Sequence, residues 1–501
     1  MPNSYLSKSQ YLRGLQCHKS LWLKRENKIQ PTVSDSLQTI FDEGTRVGQL
    51  AQDLFPNGNE IVFEGNSFEE KIKKTQEYIA NGESTIYEAT FKFDDILVMV
   101  DILHKDGLGW GIYEVKSASD VLYKNKATEV KDVYKDDLAI QYYVLRGAGL
   151  DISSASLIHI NNKYIRKDFL EIDKLFSVID LTKSVKKMQN DVTSNLKSAR
   201  ESLKGNEPKI KIGVHCDSPY ECDFKEHCWT EKILKGYTVF NLSRLNLKKK
   251  FELYDSGITD IKDVPIDFPL SDAQKMQVEV EKSGNAIINK EGIKNFLDQL
   301  SYPLYFLDFE TFQQTIPEWK GVSPYQQIPF QYSVHFLDKE GGQLNHSEFL
   351  AKEGADPREE LAKKLIKDIP RGVCTLAYNM SFEKGVIKKL AGLYPQYSEH
   401  LMDIHGNIKD LIVPFRNKYY YTREMKGSSS IKKVLPALMP DSSYEGMEIG
   451  DGMTASNSYK SLHKEKDFNV RKKIRNNLLE YCKKDTKAMV DVLNSLKMMS
   501  I

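Results

Sequence analysis

Two stretches of the sequence carry acidic residues at spacings suited to metal-assisted hydrolysis. In the first, Glu114-Val115-Lys116 follows Asp101 at the distance of a hairpin. If residues 109–117 form a strand, alternation places Glu114 and Lys116 on one face, and the hairpin places Asp101 beside Glu114. Two carboxylates can hold Mg²⁺ or Mn²⁺ against a phosphate oxygen, and a lysine can orient or deprotonate the attacking water. The alternative is an ordinary surface pair of glutamate and lysine.

The second stretch lies in the C-terminal part of the chain. An apolar strand carries Asp308 and Glu310 on one face, where two carboxylates repel each other unless a cation lies between them. Glu383 is expected in the first turn of a helix, and Tyr481 and Asp485 share one face of the last helix. Four acids from separate elements suit two divalent metal ions about 3.5–4 Å apart, with Tyr481 holding the nucleophilic water. Each acid alone also fits a helix cap or a surface charge.

A cysteine cluster forms the third candidate site, in the order Cys216, Cys222 and Cys228. A four-thiolate site needs one more ligand, and Cys17 is the remaining cysteine of the N-terminal half, so closing the site would enclose the stretch between them in one domain. An iron–sulfur cluster takes four thiolates at varied spacing, whereas zinc prefers ligand pairs two to four residues apart. Zinc, with His215 or His227, and buried free thiols are the alternatives.

Composition sets limits on the class of protein. The chain has 501 residues, enough for two or three domains, with 40% apolar and 28% charged residues, as in an ordinary soluble protein. The net charge of +1 excludes a global attraction to polyanions but leaves room for local basic grooves, for which 124–135 and 248–250 are candidates; a solvated lysine-rich face is the alternative for each. The sequence shows no membrane span and no signal peptide, so we expect a cytoplasmic protein. Cys374 and Cys482 are expected as core residues.

Hydrophobic periodicity predicts the elements that position these residues. Strands are predicted at 85–93, 96–103, 109–117, 155–160, 303–309, 331–337 and 373–378. Helices are predicted at about 8–24, 34–54, 132–146, 171–204, 357–368, 381–393, 429–437 and 466–497. In this interpretation Cys17 lies within the first helix.

The N-terminal pattern resembles the PD-(D/E)XK nucleases of the RecB and AddB type and the related CRISPR-adaptation exonucleases, over about residues 5–232. The resemblance implies metal roles for Asp101 and Glu114, a catalytic role for Lys116 and a supporting role for Gln141. It also implies a 4Fe–4S cluster with a structural role, held by Cys17, Cys216, Cys222 and Cys228.

The sequence departs from this family at two positions. The family's Gln-x-x-x-Tyr is here Gln141-Tyr-Tyr-Val-Leu145, so the terminal tyrosine is missing or replaced by Tyr142 or Tyr143. An early histidine of the family, in Gly-x-x-x-His, is met by Gly44-Thr-Arg-Val-Gly48. Glu43 and Glu88 are candidates to replace that ligand.

The C-terminal pattern resembles the DnaQ-like DEDD exonucleases, in their tyrosine-bearing subclass, on an RNase H-like fold. The resemblance covers about residues 300–498 and implies removal of nucleotides from 3′ ends. Asn379 matches a residue that positions the substrate, and Glu383 stands where the family usually has aspartate. Asp403 and Asp410 are interpreted as structural.

The sequence therefore predicts an α/β protein with three parts. These are a PD-(D/E)XK restriction-endonuclease-like domain with an iron–sulfur clasp at 1–235, a helical linker at 236–298, which is either plain or helix-hairpin-helix-like, and an RNase H-like, DnaQ-type exonuclease domain at 299–501. This pairing resembles a group of bacterial proteins known mainly by uncharacterised domains. We expect a metal-dependent nuclease acting on DNA, at single-stranded or 3′ ends. The alternatives are a nucleic-acid clamp with an inert N-terminal site and an active C-terminal one, or an exonuclease directed at RNA.

Overall fold

A computed structural model describes residues 5–26, 35–62, 65–107 and 109–501 of the chain. The chain divides into two compact units. Unit 1 consists of Met1–Thr230 and Gln314–Tyr325, and unit 2 of Glu231–Gln313 and Gln326–Ile501. Among the described residues, no helix combines the length and the apolar character needed to cross a membrane.

Unit 1 is built on a mixed sheet with helices packed against it. Its strands are β1 (Leu6–Ser7), β2 (Asn59–Glu60), β3 (Thr85–Phe93), β4 (Ile96–Asp106), β5 (Gly109–Lys116), β6 (Leu122–Tyr123), β7 (Lys126–Val130), β8 (Ile152–Ile160) and β9 (Phe176–Asp180). Its helices are α1 (Lys8–Gln16), α2 (His18–Arg25), α3 (Asp35–Ala51), α4 (Phe68–Ala80), α5 (Asp132–Gly147), α6 (Ile172–Leu175), α7 (Thr182–Lys187), α8 (Gln189–Ser202) and α9 (Lys225–Cys228).

The sheet of unit 1 runs in the order β2-β3-β4-β5-β8-β9, with β1 paired to the start of β4. The pairs β2–β3, β5–β8 and β1–β4 are parallel, and β3–β4, β4–β5 and β8–β9 are antiparallel. Because β1 pairs with β4 at Ile96 and Leu97, the helix after β1 begins near the carboxylates of β4 and β5. The strongly apolar β3, β4 and β8 are buried on both faces, as expected for central strands covered by helices.

Two helix predictions in unit 1 were wrong. The predicted helix at 8–24 is two helices, because Cys17 has extended backbone angles (φ −163°, ψ 117°) and separates α1 from α2. Ser7 and Gln10 do form the expected capping box at the start of α1. The stretch 171–204 is not one helix, since β9 adds to the edge of the sheet before α7 and α8 begin. Pairing with β8 overrides the helical pattern there.

Unit 2 has a second mixed sheet surrounded by helices. Its strands are β10 (Ile287–Ile288), β11 (Leu304–Phe312), β12 (Ile328–Leu337), β13 (Asn345–Leu350), β14 (Cys374–Ala377), β15 (Ile408–Asp410) and β16 (Tyr420–Tyr421). Its helices are α10 (Glu231–Lys235), α11 (Leu247–Asp255), α12 (Asp272–Ser283), α13 (Lys290–Leu297), α14 (Arg358–Asp368), α15 (Ser381–Leu393), α16 (Pro395–Asn407), α17 (Val413–Arg416), α18 (Ile431–Leu438), α19 (Gly452–Leu462) and α20 (Phe468–Ser500).

The main sheet of unit 2 runs in the order β13-β12-β11-β14-β15. The first three strands are antiparallel, and β14 and β15 join β11 in parallel. The central strand β11 is buried along most of its length and has an irregular register directly after Glu310, where β-bulges commonly re-aim side chains. The structure is thus a mixed α/β protein, as predicted, and β13, β15, α16 and α19 are elements that the periodicity did not reveal.

The stretch 236–298 belongs to unit 2. Helix α11 ends at Asp255 and is followed by Gly257 with φ +84°, a conformation that favours glycine. The chain then makes a three-residue 3₁₀ turn at Ile261–Asp263, and α12 begins at Asp272. The glycine after α11 is therefore in the conformation expected at a helix end, and a 3₁₀ turn, not a second α-helix, comes directly after it.

Candidate functional site

Three of the four acids of the C-terminal pattern meet at one open cleft of unit 2. Asp308 and Glu310 come from the central strand β11, and Tyr481 and Asp485 come from α20. Together with Asn379 they line a cleft of about 490 Å³. The alternation of β11 and the four-residue spacing on α20 place these side chains on the facing sides of the two elements, as the sequence predicted.

The tightest group in this cleft contains a residue that we expected to be part of the core. One oxygen of Asp308, one oxygen of Glu310 and Sγ of Cys482 all lie within 4.8 Å of one another, and this is the one such group of potential metal ligands in the described part of the chain. The Cys482 thiol is fully buried and donates to Oδ2 of Asp308 at 3.7 Å. Cys482 is therefore a buried residue, as predicted, but it also contacts a candidate metal ligand.

Burial raises the pKa of each carboxyl group in the cleft, and the charges of neighbouring acids add to the shift in Asp308 and Glu310. The pKa of Asp308 lies well above its usual value because of burial and then because of the charges of Asp485 and Glu310. Burial followed by the charge of Asp485 raises the pKa of Glu310 to about 8. Burial raises the pKa of Asp485 to about 6, against the opposing effect of hydrogen bonds from Tyr444 and Tyr481. These groups can ionise together only if a positive charge is placed among them.

Tyr481 stays a phenol in this environment. Burial and the charge of Asp485 raise its pKa far above the usual value. Its Oη accepts a hydrogen bond from Nζ of Lys432 at 3.2 Å, and the same ammonium donates to the carbonyl of Gly450 at 2.7 Å. Tyr444 donates its hydroxyl hydrogen to Oδ1 of Asp485 at 2.7 Å. Lys432 and Tyr444 thus fix the two functional side chains of α20.

Glu383 lies in the first turn of α15, as predicted, and is 2% exposed. Burial raises its pKa to about 8, and its charge contributes to the raised pKa of Asp308. Its Oε2 has no hydrogen-bond partner among the described residues, although buried carboxylate oxygens normally have one. Glu383 is not among the residues that line the open cleft, but it lies within electrostatic reach of Asp308.

Asn379 is held by the residue pair Asp410 and Arg416. Its backbone N–H donates to Oδ1 of Asp410 at 2.9 Å, and its Oδ1 accepts from Nη2 of Arg416 at 3.2 Å. Asn379 has φ +76°, a left-handed conformation that asparagine tolerates better than most residues. Asp403 lies elsewhere and accepts the N–H of Gly372 at 2.7 Å. Both aspartates therefore make structural contacts, in agreement with their interpretation from the sequence.

In unit 1 the predicted residues form a network of ion pairs. Nζ of Lys116 lies 2.6 Å from Oε1 of Glu114, and Nε2 of Gln141 donates to its Oε2 at 2.7 Å. Lys8, at the start of α1, donates to both oxygens of Glu114 at 2.9 and 3.0 Å. Both lysines also contact Asp137 on α5, at 2.9 and 2.7 Å. Glu114 is thus fully hydrogen-bonded by the side chains around it.

Two further acids, Asp101 and Glu88, lie next to this network and form no ion pair with a lysine in the described part of the chain. Oδ2 of Asp101 accepts the N–H of Val115 at 2.7 Å. Burial and the charge of Glu114 raise the pKa of Asp101 to about 8 and that of Glu88 to about 7. Glu88 and Asp101 line one cleft of about 650 Å³ with Lys8. Glu88 has φ +57° inside β3, a strained conformation of the kind that is often found at functional sites.

Of the candidate replacements in unit 1, only Glu88 lies beside the acids. Glu43 is hydrogen-bonded to Thr315. Tyr143 donates to Asp94 at 3.0 Å, away from the network, and Tyr142 is buried in the core cluster of unit 1.

The four cysteines of the N-terminal half line one small pocket of unit 1. The extended backbone at Cys17 brings the α1–α2 junction to the loop that carries Cys216, Cys222 and Cys228. Gln16 fastens this arrangement by donating to the carbonyls of His215 at 2.8 Å and Tyr220 at 2.7 Å. His227 lies against Glu207 at 3.1 Å, whereas His215 lines the pocket.

Several residues of these sites were not predicted from the sequence. Asp137 lies four residues before Gln141 on α5, and Cys482 lies three residues before Asp485 on α20, so helical spacing could have revealed both. Lys8, Lys432 and Tyr444 reach their sites through tertiary packing alone, and no local signal marks them.

Residues 305–430 match a family model described as a domain of unknown function (DUF2779). The matched segment contains Asp308, Glu310, Asn379 and Glu383, and it ends before Tyr481 and Asp485. A comparison with curated proteins gave no match. The family match confirms the expected resemblance to proteins with an uncharacterised domain, and the fusion of two nuclease domains stays a prediction.

Proposed function

We propose that this chain is a metal-dependent nuclease that hydrolyses phosphodiester bonds of DNA, at single-stranded or 3′ ends, with its main active site in the cleft of unit 2. One observation carries the proposal: Asp308, Glu310 and Asp485 meet in one cleft beside a fixed tyrosine, with pKa values raised by burial in all three and also by the charges of neighbouring acids in Asp308 and Glu310. The strand order of unit 2, with the two acids on the central strand, is compatible with the RNase H-like fold that the sequence resembles.

The donor set of this cleft fits Mg²⁺ or Mn²⁺. Carboxylate oxygens are the ligands that these ions prefer, and the unpartnered Oε2 of Glu383 is an acceptor in need of a partner. Asp308, Glu310 and Asp485 would hold the ions, with Glu383 as a further ligand near Asp308. When bound, such ions polarise the phosphate and lower the pKa of a bound water.

The protein's own groups would orient the reactants. Since Tyr481 is protonated, its hydroxyl can hold the attacking water by a hydrogen bond but cannot act as the base. Lys432 fixes the Tyr481 hydroxyl, and Tyr444 fixes Asp485. Asn379 faces the same cleft and is braced by Arg416, which suits a residue that positions the substrate.

Unit 1 supports a second candidate function, that of a nucleic-acid clamp. The observation that favours it is the saturation of Glu114 by Lys8, Lys116 and Gln141, which leaves no oxygen of Glu114 in need of a cation. Asp101 and Glu88 are the groups there whose raised pKa values would favour a metal ion. We therefore propose unit 2 as the main hydrolytic site and unit 1 as a second nuclease centre or a binding surface.

We also propose that Cys17, Cys216, Cys222 and Cys228 hold a 4Fe–4S cluster with a structural role. Four thiolates around one buried pocket suit such a cluster. In a tetrahedral zinc site the sulfurs lie about 3.8 Å apart, given Zn–S bonds of about 2.3 Å. In the described residues, no three of these sulfurs lie within 4.8 Å of one another. This spacing is too wide for one zinc ion and favours a 4Fe–4S cluster, which is larger. A colourless, zinc-containing protein from anaerobic purification would overturn this assignment.

Digestion of labelled oligonucleotides tests the proposal. The full chain is incubated with 3′- or 5′-labelled single-stranded DNA and RNA, with Mg²⁺, Mn²⁺ or EDTA. We expect stepwise shortening from the 3′ end of DNA that needs a divalent ion, is lost in Asp308→Ala and is retained in Asp441→Asn, which removes an exposed acid of unit 2. Lys116→Ala distinguishes the contributions of the two units to hydrolysis, because a loss of activity in that variant alone would assign hydrolysis to unit 1. Undiminished digestion in the double variant Asp308→Ala/Lys116→Ala would exclude both sites.

A further inference from the structure

The cleft of unit 2 is lined by basic as well as acidic side chains. Its lining residues include Arg244 and Arg416 in addition to the carboxylates. Since the carboxylates would be occupied with metal ions and the scissile phosphate, the arginines are available for a different part of the substrate.

Arg244 is presented to the cleft by a firmly held turn. Its neighbours Leu242 and Leu245 are buried at 1% and 8% exposure, and Ser243 is held by both Gln274 and Gln277 of α12, at 2.8 and 3.0 Å. The Arg244 side chain is exposed and has no ion pair or hydrogen bond with any residue that the structure describes. Its backbone has φ +55°, a conformation that costs roughly 1 kcal/mol for a residue other than glycine.

Arg416, at the end of α17, has a donor without an acceptor. Its Nη2 donates to Asn379 at 3.2 Å, and its Nη1 lies 3.6 Å from Oδ2 of Asp410. Its Nε is buried and has no hydrogen-bond partner in the described part of the chain. A buried charged donor normally has an acceptor, so the hydrogen-bonding capacity of Arg416 is incompletely used, and its side chain, which is 35% exposed, lines the cleft where a phosphate oxygen could bind.

A third cation lies next to Arg244 without a balancing carboxylate. Lys418 is 5% exposed, and its Nζ lies 3.7 Å from the centre of the Tyr421 ring. Burial and then the charge of Arg244 lower the pKa of Lys418 to about 8. Within the described ranges, neither Lys418 nor Arg244 has an acidic partner, and an anion bound at Arg244 would relieve their repulsion.

We propose that Arg244 and Arg416 form a phosphate subsite for the strand adjacent to the scissile bond. The site would then act more efficiently on a polynucleotide strand than on an isolated nucleotide ester, because only a strand brings a second phosphate to these two arginines. This inference rests on the proposed nuclease function of the same cleft and specifies its substrate class. Arginine suits the task because its planar group binds phosphate oxygens with two parallel hydrogen bonds.

The test compares two substrates that differ in their number of phosphates. One is a single-stranded oligothymidylate, and the other is p-nitrophenyl thymidine 5′-phosphate, which carries only the scissile phosphate. For Arg244→Gln we expect the ratio of kcat/KM for the oligonucleotide to kcat/KM for the ester to fall about tenfold, the loss of one charge-assisted contact. The matched control is Lys262→Gln, which removes an exposed charge of unit 2 that does not line the cleft and should leave the ratio unchanged.

A binding measurement tests the contact between Arg244 and a phosphate independently of hydrolysis. The affinity for a fluorescent oligothymidylate is measured against salt concentration in the Asp308→Asn background, with and without Arg244→Gln. Removal of one phosphate contact should make the log–log salt slope shallower by about 0.7. An unchanged slope, or a parallel fall in activity on both substrates, would overturn the subsite. If the wild type hydrolysed neither substrate, the nuclease function would be refuted. The salt dependence of oligonucleotide binding would still show whether Arg244 binds phosphate.

Discussion

Replacing Asp308 by asparagine should stabilise the metal-free protein while abolishing its activity. The candidate ligand oxygens of Asp308 and Glu310 lie within 4.8 Å of each other. Two full charges at that distance repel by about 3 kcal/mol at an effective dielectric constant of about 20. Partial protonation relieves some of this repulsion near neutral pH, so we expect a net gain of about 2 kcal/mol at pH 8 in EDTA. For a unit of this size the gain corresponds to an increase in Tm of about 4–8 °C.

Thermal unfolding followed by calorimetry, in EDTA and in millimolar Mn²⁺, is the assay. Mn²⁺ should raise the Tm of the unit 2 transition in the wild type, since a ligand that binds only the folded state stabilises it, and should raise it much less in Asp308→Asn. Asp441→Asn, in which an exposed acid is neutralised, should behave like the wild type in both conditions. A lower Tm of Asp308→Asn in EDTA, or an equal response of both proteins to Mn²⁺, would refute the reasoning.

Individual contacts support three further predictions. Tyr481→Phe should lower kcat about 10- to 100-fold with little change in the amount of Mn²⁺ bound, because in the proposed mechanism the hydroxyl would hold the attacking water and not the metal ion; steady-state kinetics and a Mn²⁺ titration check this. Lys8→Ala should destabilise unit 1 by about 3–5 kcal/mol in urea unfolding, because it leaves Glu114 with one ammonium partner fewer, and Lys8→Arg should recover part of the loss. Burial lowers the pKa of His335 and His346 to about 4, from 6.5, so below pH 6.5 these side chains bind protons in the unfolded chain but not in the folded one. The contribution of His335 should therefore lower the free energy of unfolding by up to about 3 kcal/mol between about pH 6.5 and 4, opposite in sign to that of the carboxyl groups with raised pKa values, and the difference in urea unfolding between wild type and His335→Gln over this range measures it.

Local patterns were sufficient for the residues that lie on one regular element. The two-residue alternation on β11 placed Asp308 and Glu310 on one face, and the four-residue spacing on α20 did the same for Tyr481 and Asp485. The prediction of α15 was correct at both ends, which put Glu383 in its first turn. Such periodicities depend on the geometry of a single strand or helix, so they are readable from one sequence.

Features that depend on tertiary contacts were not readable in this way. The helix break at Cys17 is not marked by a glycine or proline at that position. It is accompanied by hydrogen bonds from Gln16 to the carbonyls of His215 and Tyr220. Lys8 reaches Glu114 only because β1 pairs with β4. The segment 314–325 belongs to unit 1 although its neighbours in sequence belong to unit 2, which no composition or periodicity indicates.

The central claim is that the acids of the unit 2 cleft hold divalent cations, and a count of bound Mn²⁺ tests it most directly. Electron paramagnetic resonance measures free Mn²⁺ during titration of the wild type, of the double variant Asp308→Asn/Glu310→Gln and of Asp441→Asn. The double variant should bind two fewer Mn²⁺ ions than the wild type, while Asp441→Asn should bind the same number as the wild type. Equal numbers of bound Mn²⁺ in all three proteins would contradict it.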